Sequence, residues 1–457
     1  MIREMTHGKP LSLILSFCLP MLLGNLFQQL YSMVDTIIVG KFIDVDSLAA
    51  VGSTGSVSFL IIGFTMGITS GSCILPAQQF GAGNYSEMRR LIAGAVYLCV
   101  ITTVVVTALA VSLCYPLLRL MQTPGDIIDL AYNYIVVIFG GICVTMMYNL
   151  MAGILRAMGD SRTPLYFLIL ASLINIGLDL LFIIVFNSGV AGAGWATVIS
   201  QGISGVLCIV YMKKNYPILQ FEKGELAFSG KRLLSIARIS VPMGLQFSIT
   251  AIGSILLQTA VNSLGKVCVA AVTAAGKMQN MVVAPMETLG ITMATYAGQN
   301  LGAGKIPRIT QGMHRAFAVG IIYAVAAAVA IWVFSGPLCL LFVDAEETEV
   351  ISRAVYFIGI NAFFYPVLSL LFITRNMLQG VGFSFLPMLA GASELAARAV
   401  VSLGLVPVFG FDAACFASPV AWSAATVLLI IVYNVKMHGM KKRFAEGCKE
   451  SVAEGVQ

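Results

Sequence analysis

The sequence predicts an all-α polytopic membrane protein, with twelve transmembrane helices in two six-helix lobes that are related by a parallel internal repeat. Three observations support this fold class. The 457 residues are 58% hydrophobic and only 11% charged. Long stretches of the chain contain no charged residue, and short patterns of the first half recur in the second half.

The composition excludes several classes of protein. Soluble domains carry roughly 45–50% apolar and about 25% charged residues. The 27 basic and 21 acidic side chains here are too few to cover a globule of this size, and the mean hydropathy is +0.92. The 44 glycines and 15 prolines follow no short period. A water-soluble enzyme and a fibrous or disordered chain are therefore both excluded.

The helices follow from the uncharged runs, because about 20 mainly apolar residues cross a ~30 Å hydrocarbon core and the backbone there must be paired internally. Seven runs of 21 to 28 residues each predict one helix: 10–34, 91–118, 130–155, 239–265, 316–343, 354–374 and 413–435. The stretch 47–86 adds one helix, and 163–212 adds two, separated at Asn187-Ser188-Gly189. Charged spans near 268–296 and 386–410 complete the twelve.

The distribution of Lys and Arg predicts the orientation. With both termini cytoplasmic, 21 of the 27 basic residues lie in inner segments, as expected for a protein of the cell membrane. The net charge of +6 then reflects topology, and no nucleic-acid partner is expected. The predicted organisation is an N-terminal lobe over 1–212, a cytoplasmic linker over 213–238, a C-terminal lobe over 239–437 and a cytoplasmic tail over 438–457. The basic segment 436–449 is interpreted as ordinary cytoplasmic flank, with binding of lipid headgroups as the less favoured alternative.

Four patterns recur in the same order in the two halves, at offsets of 221, 221, 223 and 222 residues. The matched pairs are Ala49–Gly55 with Ala270–Gly276, Gln78–Gly83 with Gln299–Gly304, Gly153–Gly159 with Asn376–Gly382, and Pro20 with Pro242. Each half contains six helices, an even number, so both halves insert in the same orientation. The repeat is therefore parallel, with its axis along the membrane normal.

Cysteine and histidine patterns predict no metal centre. Most of the ten cysteines lie in or beside apolar runs without a C-x-x-C pair, and they are interpreted as small hydrophobic filler. The three histidines lie at predicted helix ends. No cofactor is expected apart from a coupling ion.

Six charged residues remain inside the predicted spans, where each is costly and is a functional hypothesis by default. They are Asp35, Asp179, Lys277, Glu287, Glu394 and Arg398. Asp35 lies near the outer end of span 1, with Tyr31 and Gln28 on the same helix face. Asp179 lies about two turns from the outer end of span 5, with Asn175 four residues earlier on its face.

Two carboxylates and an amide suggest either an oxygen cage for Na⁺ or a pair that shares one proton. Thr197 in span 6 could add a hydroxyl group. The alternatives are that Asp35 caps a helix end in interfacial water and that Thr197 only packs between helices.

Two motifs carry a family resemblance. Gln-x-x-Gly-Ala-Gly follows spans 2 and 8, and the sequence Leu-Arg-Ala-Met-Gly-Asp-Ser-Arg-Thr-Pro over 155–164 follows span 4. Together they resemble the multidrug and toxic compound extrusion (MATE) transporters over essentially the whole chain. The resemblance implies two lobes that form a V around a central cavity, alternating access, and efflux of hydrophobic organic cations in exchange for Na⁺ or H⁺. It also implies a cation site at Asp35, Asn175, Asp179 and Thr197.

The second half departs from that site, because Arg398 and Ser402 occupy the positions that match Asn175 and Asp179. A structural i, i+4 pair of Glu394 with Arg398 is favoured, with Arg398 able to bridge to Glu287 as well. Glu287 then has the better claim to face a cavity, as a drug or proton site.

The substrate cavity candidates are therefore Tyr31, Gln28, Glu287, Glu394 and Arg398, and the role of Lys277 stays open.

Pro20 and Pro242 each remove a backbone hydrogen bond in the first helix of a half, so they are hinge candidates, with static kinks as the equal alternative. The expected function is secondary active efflux of small hydrophobic cationic drugs by a monomer in the lipid bilayer. The alternative is a lipid-linked glycan flippase of the related superfamily, which would be expected to show a more basic cavity. A membrane-embedded enzyme lacks any supporting constellation of paired His, Ser and His, or metal ligands.

Overall fold

The structure, a computed structural model, describes residues 4–121 and 123–454, and these form helices and connecting loops with no strand. The helices of the first half are α1 (Pro10–Phe42), α2 (Val45–Ser53), α3 (Gly55–Ser72), α4 (Ile74–Gly81), α5 (Tyr85–Leu120), α6 (Gly125–Gly140), α7 (Ile142–Ala157), α8 (Arg162–Leu180) and α9 (Gly189–Asn215). Those of the second half are α10 (Gly230–Asn262), α11 (Lys266–Gly302), α12 (Ile306–Cys339), α13 (Thr348–Phe363), α14 (Tyr365–Gly380), α15 (Phe385–Ala399), α16 (Val406–Phe409) and α17 (Phe411–Glu454).

The number of membrane spans agrees with the prediction. Ten of the described spans are long and apolar enough to cross a membrane as they stand. Two further spans are bent pairs, α6 with α7 at 47° and α13 with α14 at 53°. Counting each bent pair as one crossing gives twelve, and every charge-poor run found in the sequence is represented.

The chain divides into two compact units. One is Leu19–Ala251, and the other is Met5–Cys18 together with Ile252–Gln457. The division falls inside α1 and inside α10, the first helix of each half. Both helices continue through their internal prolines, Pro20 and Pro242. A hinge at either proline stays a prediction.

The internal repeat is visible in the backbone. Gly83 and Gly304, at the ends of the two Gln-x-x-Gly-Ala-Gly motifs, have φ of 71° and 69°. Gly159 and Gly382 have φ of 81° and 95° after the next matched pair of helices. Left-handed φ values favour glycine after a helix end. The matched motifs therefore build the same helix-ending turns in both halves.

The segment that precedes α1 is held by the second motif. The Met5 amide donates to Gln299 Oε1 at 2.8 Å, and Asn300 Nδ2 donates to the Met5 carbonyl at 3.1 Å. Lys305 Nζ donates to the Thr6 carbonyl at 3.0 Å. Met5 and Thr6 are both buried. These contacts lie within one compact unit, and they fix the backbone of the segment to the junction of α11 and α12.

The non-helical link before α10 is held in a similar way by α5. Arg89 donates to Glu225 Oε1 and to Glu222 Oε1, each at 2.8 Å, and Ser86 Oγ also donates to Glu225 at 2.8 Å. The hydrogen bond from the Arg89 guanidinium lowers the pKa of Glu225 to about 2. The link is therefore bound to the start of α5 in the predicted cytoplasmic region.

The motif over 155–164 forms a structural turn. Asp160 is buried and accepts hydrogen bonds from the Arg162 amide, the Thr163 amide and the Tyr216 hydroxyl. Burial alone would raise the pKa of Asp160, but these hydrogen bonds outweigh it and lower the pKa. The polar contacts of this segment thus fix the start of α8, which carries part of the candidate site.

Helices α3 and α10 touch through their backbones, and this contact leads to a prediction about the stability of the protein. A Cβ on Gly67 would lie 2.5 Å from the Gly244 Cα and 2.6 Å from the Gly244 amide nitrogen. Because both are backbone atoms, the helices must separate, and Gly67→Ala is expected to destabilise the fold by about 1–3 kcal/mol. The thermal midpoint of the purified protein in detergent measures this loss.

Gly55→Ala is the matched control, because a Cβ at Gly55 in the same helix meets nothing within 4 Å. Equal thermal midpoints for Gly67→Ala and Gly55→Ala would contradict the backbone contact of α3 with α10.

Candidate functional site

Two carboxyl groups from α1 and α8 meet in the first half. Asp179 is fully buried and Asp35 is half-buried, and their side chains lie within hydrogen-bonding reach of each other. Ionised carboxylates only accept hydrogen bonds, so neither can satisfy the other. Asp35 Oδ1 and both Asp179 carboxylate oxygens are shielded from solvent and have no donor within the described part of the chain. The pair therefore needs a shared proton or a bound cation to be stable.

Asn175 and Thr197 complete the predicted set. Asn175 is buried one turn before Asp179 on α8, and its Nδ2 donates to Thr197 Oγ1 on α9 at 3.4 Å. Its Oδ1 is also shielded without a donor among the described residues. The site thus collects four acceptor oxygens that lack donors, three from carboxylates and one from an amide. Hard cations prefer such oxygens, so these residues fit a bound Na⁺ as well as a proton.

A local change of helix type lies beside the site. α8 ends at Leu180 and continues as a π-helical turn over Leu181–Val185. Insertions of this kind occur frequently at functional sites. The second half repeats the feature, since α15 continues as a π-helical turn over Val400–Leu405. Asp179 and Arg398 each lie two residues before the π-helical turn of their half, although Arg398 matches Asn175 in the register of the repeat.

Two polar side chains near the carboxyl pair were not predicted from the sequence. Tyr134 on α6 lies close enough to interact with both carboxyl groups. Gln201 on α9 contacts Tyr31 and accepts a hydrogen bond from Thr145 Oγ1 at 2.8 Å. Gln201 stands four residues after Thr197, so helical spacing was an available signal for it. Nothing in the sequence pattern distinguished Tyr134.

Of the two residues predicted beside Asp35 on α1, only Tyr31 is brought to the pair. Tyr31 interacts with both Asp35 and Asp179. Gln28 has an exposed side chain and stays a candidate for contacting substrate.

The open question about Lys277 has a structural answer. Its side chain is exposed, and its Nζ lies 5.7 Å from the centre of the Phe342 ring, just after α12 ends. Lys277 therefore makes a cation–π contact at the helix end and is remote from the buried charge clusters.

The second half contains a buried cluster of three charges. Glu394 pairs with Arg398 at 3.1 Å, as predicted, and also with Arg375 at 2.8 Å. All three side chains are at most 7% exposed. Arg375, near the end of α14, is buried inside the protein, and the sequence analysis did not identify it as a partner of Glu394. Burial is tolerated because the carboxylate of Glu394 is shared by two guanidinium groups.

Glu287 on α11 is half-buried, and the charge that acts on it is Arg375. The expected bridge from Arg398 to both glutamates is therefore replaced by a different arrangement, in which Glu394 bridges two arginines and Glu287 faces the first of them. Among the described residues Glu287 makes no direct ion pair of the kind that Glu394 makes, so it keeps the better claim to a functional role in this half.

Comparisons with known proteins agree with the duplicated fold. The MatE family model matches residues 20–181 and again 242–403, at an offset of 222. Two proteins of Bacillus subtilis are similar: the probable multidrug resistance protein YoeA, 31% identical over 75% of each chain, and the probable multidrug resistance protein YpnP, 29% identical over 83% of this chain and 84% of the relative. A solved structure described as an outward-facing multidrug resistance MATE family transporter superposes with a TM-score of 0.89 at 21% identity, over 96% of this chain and 98% of that one.

Proposed function

The chain belongs to the MatE family of membrane transporters, and from that premise we propose that it exports hydrophobic organic cations in exchange for inward Na⁺ or H⁺. The relatives are named multidrug resistance proteins, so the lipid-linked glycan flippase is not the favoured alternative. Both repeats come from one chain, and we propose that it works as a monomer in the cell membrane.

The observation that carries the proposal is the set of unsatisfied oxygens at Asp35, Asp179 and Asn175. A permanent structural carboxylate in a membrane protein is paired with a basic group, as Glu394 is. The Asp35 and Asp179 pair has only a variable partner available, a proton or a small cation. A site that must gain and lose its partner is what an exchanger requires.

The energetics favour inward ion movement as the driving force. A cation gains about 2.3 kcal/mol for each 100 mV that it crosses toward the negative side. Binding of the cation removes the repulsion between Asp35 and Asp179, so it stabilises α1 close to α8. Pro20 lies in the same helix, fifteen residues before Asp35, and would allow α1 to bend in response. The drug is released because the ion-bound shape of α1 no longer fits it.

This scheme requires negative coupling between ion and drug, and coupling free energies are reciprocal. The drug does not need to share the ion's ligands. We propose Tyr31 and Gln28 on α1 as side chains that contact the drug in the first unit, and Glu287 on α11 as a separate candidate in the second unit. An acidic side chain without a full ion pair suits a cationic substrate.

The proposal is tested by equilibrium binding of a lipophilic cationic dye to the purified protein. Dye affinity is expected to fall as Na⁺ or H⁺ concentration rises, and Asp35→Asn is expected to flatten that dependence. Vesicle transport under separately imposed Na⁺ and pH gradients then identifies the coupling ion. Asp126→Asn, which neutralises an exposed carboxylate at the start of α6, is the control and should leave the dependence unchanged.

Two outcomes would overturn the proposal. One is a dye affinity of the wild-type protein that does not change with the concentration of Na⁺ or H⁺ over a wide range. The other is export of anionic dyes by cells that overproduce the protein, with cationic dyes retained.

A further inference from the structure

A cavity of about 340 Å³ lies between the start of α12 and the last part of α17, away from the two charge clusters. Its lining residues are Ile306, Pro307, Thr310, Gln311, His314 and Lys441. Most of the exposed wall is apolar, and Gln311, His314 and Lys441 add an amide and two basic side chains.

The helix lengths place this cavity at the level of the lipid headgroups. α12 has 34 residues, and its uncharged run begins only after Arg315. From there to Cys339 the helix is roughly 36 Å long, enough to cross the ~30 Å hydrocarbon core. The first ten residues of α12 therefore lie outside that core. The uncharged run of α17 ends at Lys436, so Lys441 lies outside the core at the same level.

The parts of α12 and α17 that line the cavity carry charge of a single sign. The sequence has no acidic residue between Gly302 and Phe342, and none between Ala413 and Ala445. Lys305, one residue before α12, is already bound to the segment that precedes α1. His314 and Lys441 make no ion pair with any side chain that the structure describes, so their donors face the cavity without a counter-charge.

We infer that this cavity binds the phosphate group of an anionic phospholipid. Lys441 and His314 supply the positive and hydrogen-bonding groups, and Gln311 supplies a further donor to the phosphate oxygens. The start of α12 adds the partial positive charge of a long helix. Basic pockets between transmembrane helices near the cytoplasmic surface suit lipid headgroups of this charge.

The apolar part of the wall decides between a lipid and a free phosphate ion. Ile306 and Pro307 offer no donor side chain, and Pro307 has no amide hydrogen to give. Against a free anion such a wall contributes nothing, whereas the glycerol and first acyl carbons of a lipid would pack on it. The occupant is therefore expected to come from the bilayer.

The test is native mass spectrometry of the full chain in detergent, titrated with phosphatidylglycerol, phosphatidylcholine or inorganic phosphate. One equivalent of phosphatidylglycerol is expected to be retained in preference to phosphatidylcholine. Lys441→Gln is expected to weaken its binding by about fivefold, the effect of one basic residue near an anionic headgroup. Lys442→Gln removes the same charge from the next residue, which does not line the cavity, and should change binding less than twofold.

His314→Gln gives a second, independent variant on α12 and should also weaken phosphatidylglycerol binding while leaving the thermal midpoint unchanged. Equal retention of the two lipids would overturn the inference, and so would equal losses for Lys441→Gln and Lys442→Gln. Saturation of the site by inorganic phosphate in place of lipid would overturn the assignment to a phospholipid. None of these outcomes depends on which drug or ion the protein transports.

Discussion

Asp179→Asn is expected to abolish ion-driven export. The variant keeps the size of the side chain but removes one of the two negative charges of the candidate ion site. At an effective dielectric constant near 20, a charge about 4 Å away contributes roughly 4 kcal/mol, which corresponds to about a thousandfold in ion affinity. The new amide can also donate to the unsatisfied oxygens of Asp35 and Asn175, which closes the site without an ion. Dye uptake into inverted vesicles under an imposed ion gradient measures the loss.

The comparison variant is Glu394→Gln. Its transport rate is divided by the amount of folded protein in the vesicles. Glu394 already has two basic partners, so its neutralisation should reduce transport far less than that of Asp179. Abolition of transport by Glu394→Gln with full transport in Asp179→Asn would move the coupling site to the second half.

Glu394→Gln has its main expected effect on stability. Arg375 and Arg398 are buried, and Glu394 is the carboxylate that each of them pairs with. Removing the shared partner leaves two buried guanidinium groups without compensation, and breaking a buried ion pair typically costs about 3–5 kcal/mol. The thermal midpoint of the purified variant should fall by many degrees relative to the wild-type protein.

A triple replacement separates loss of charge balance from loss of packing. Glu394→Leu combined with Arg375→Met and Arg398→Leu removes all three charges and keeps similar volume, so it should recover most of the lost stability. A Glu394→Gln variant that melts with the wild-type protein, or a triple variant that melts as low as Glu394→Gln, would contradict this account of the cluster.

The prediction of the fold succeeded because a bilayer permits few backbone structures to cross it. Charged residues and unpaired backbone groups are both excluded from the hydrocarbon core, so uncharged runs locate the helices directly. The bends between α6 and α7 and between α13 and α14 were not predicted, because an uncharged run locates a crossing but not a bend within it. Gly140-Gly141 and Pro366 stand at the two breaks. The π-helical turns after Asp179 and Arg398 have no sequence signal of their own.

The candidate site was predicted in part for a related reason. Asp179 and Asn175 are four residues apart, and such pairs are readable from one helix. Contacts between different helices cannot be read from the sequence in this way, and Tyr134 on α6 was missed for that reason. Arg375 was missed as a partner because it stands at the end of an apolar run, where a basic residue is normally interpreted as the flank of a span. Its partner, Glu394, lies nineteen residues away on another helix.

The docking of the first residues onto the second motif has a consequence for biogenesis. The hydrogen bond from Met5 to Gln299 joins residues 294 positions apart. At about 5–20 residues per second, the ribosome needs roughly 15–60 s to supply the partner. Span 1 is therefore inserted long before the segment ahead of it can be anchored. A chain that stops short of Gln299 leaves the amide of Met5 without its acceptor, so this contact can form only after Gln299 has been synthesised.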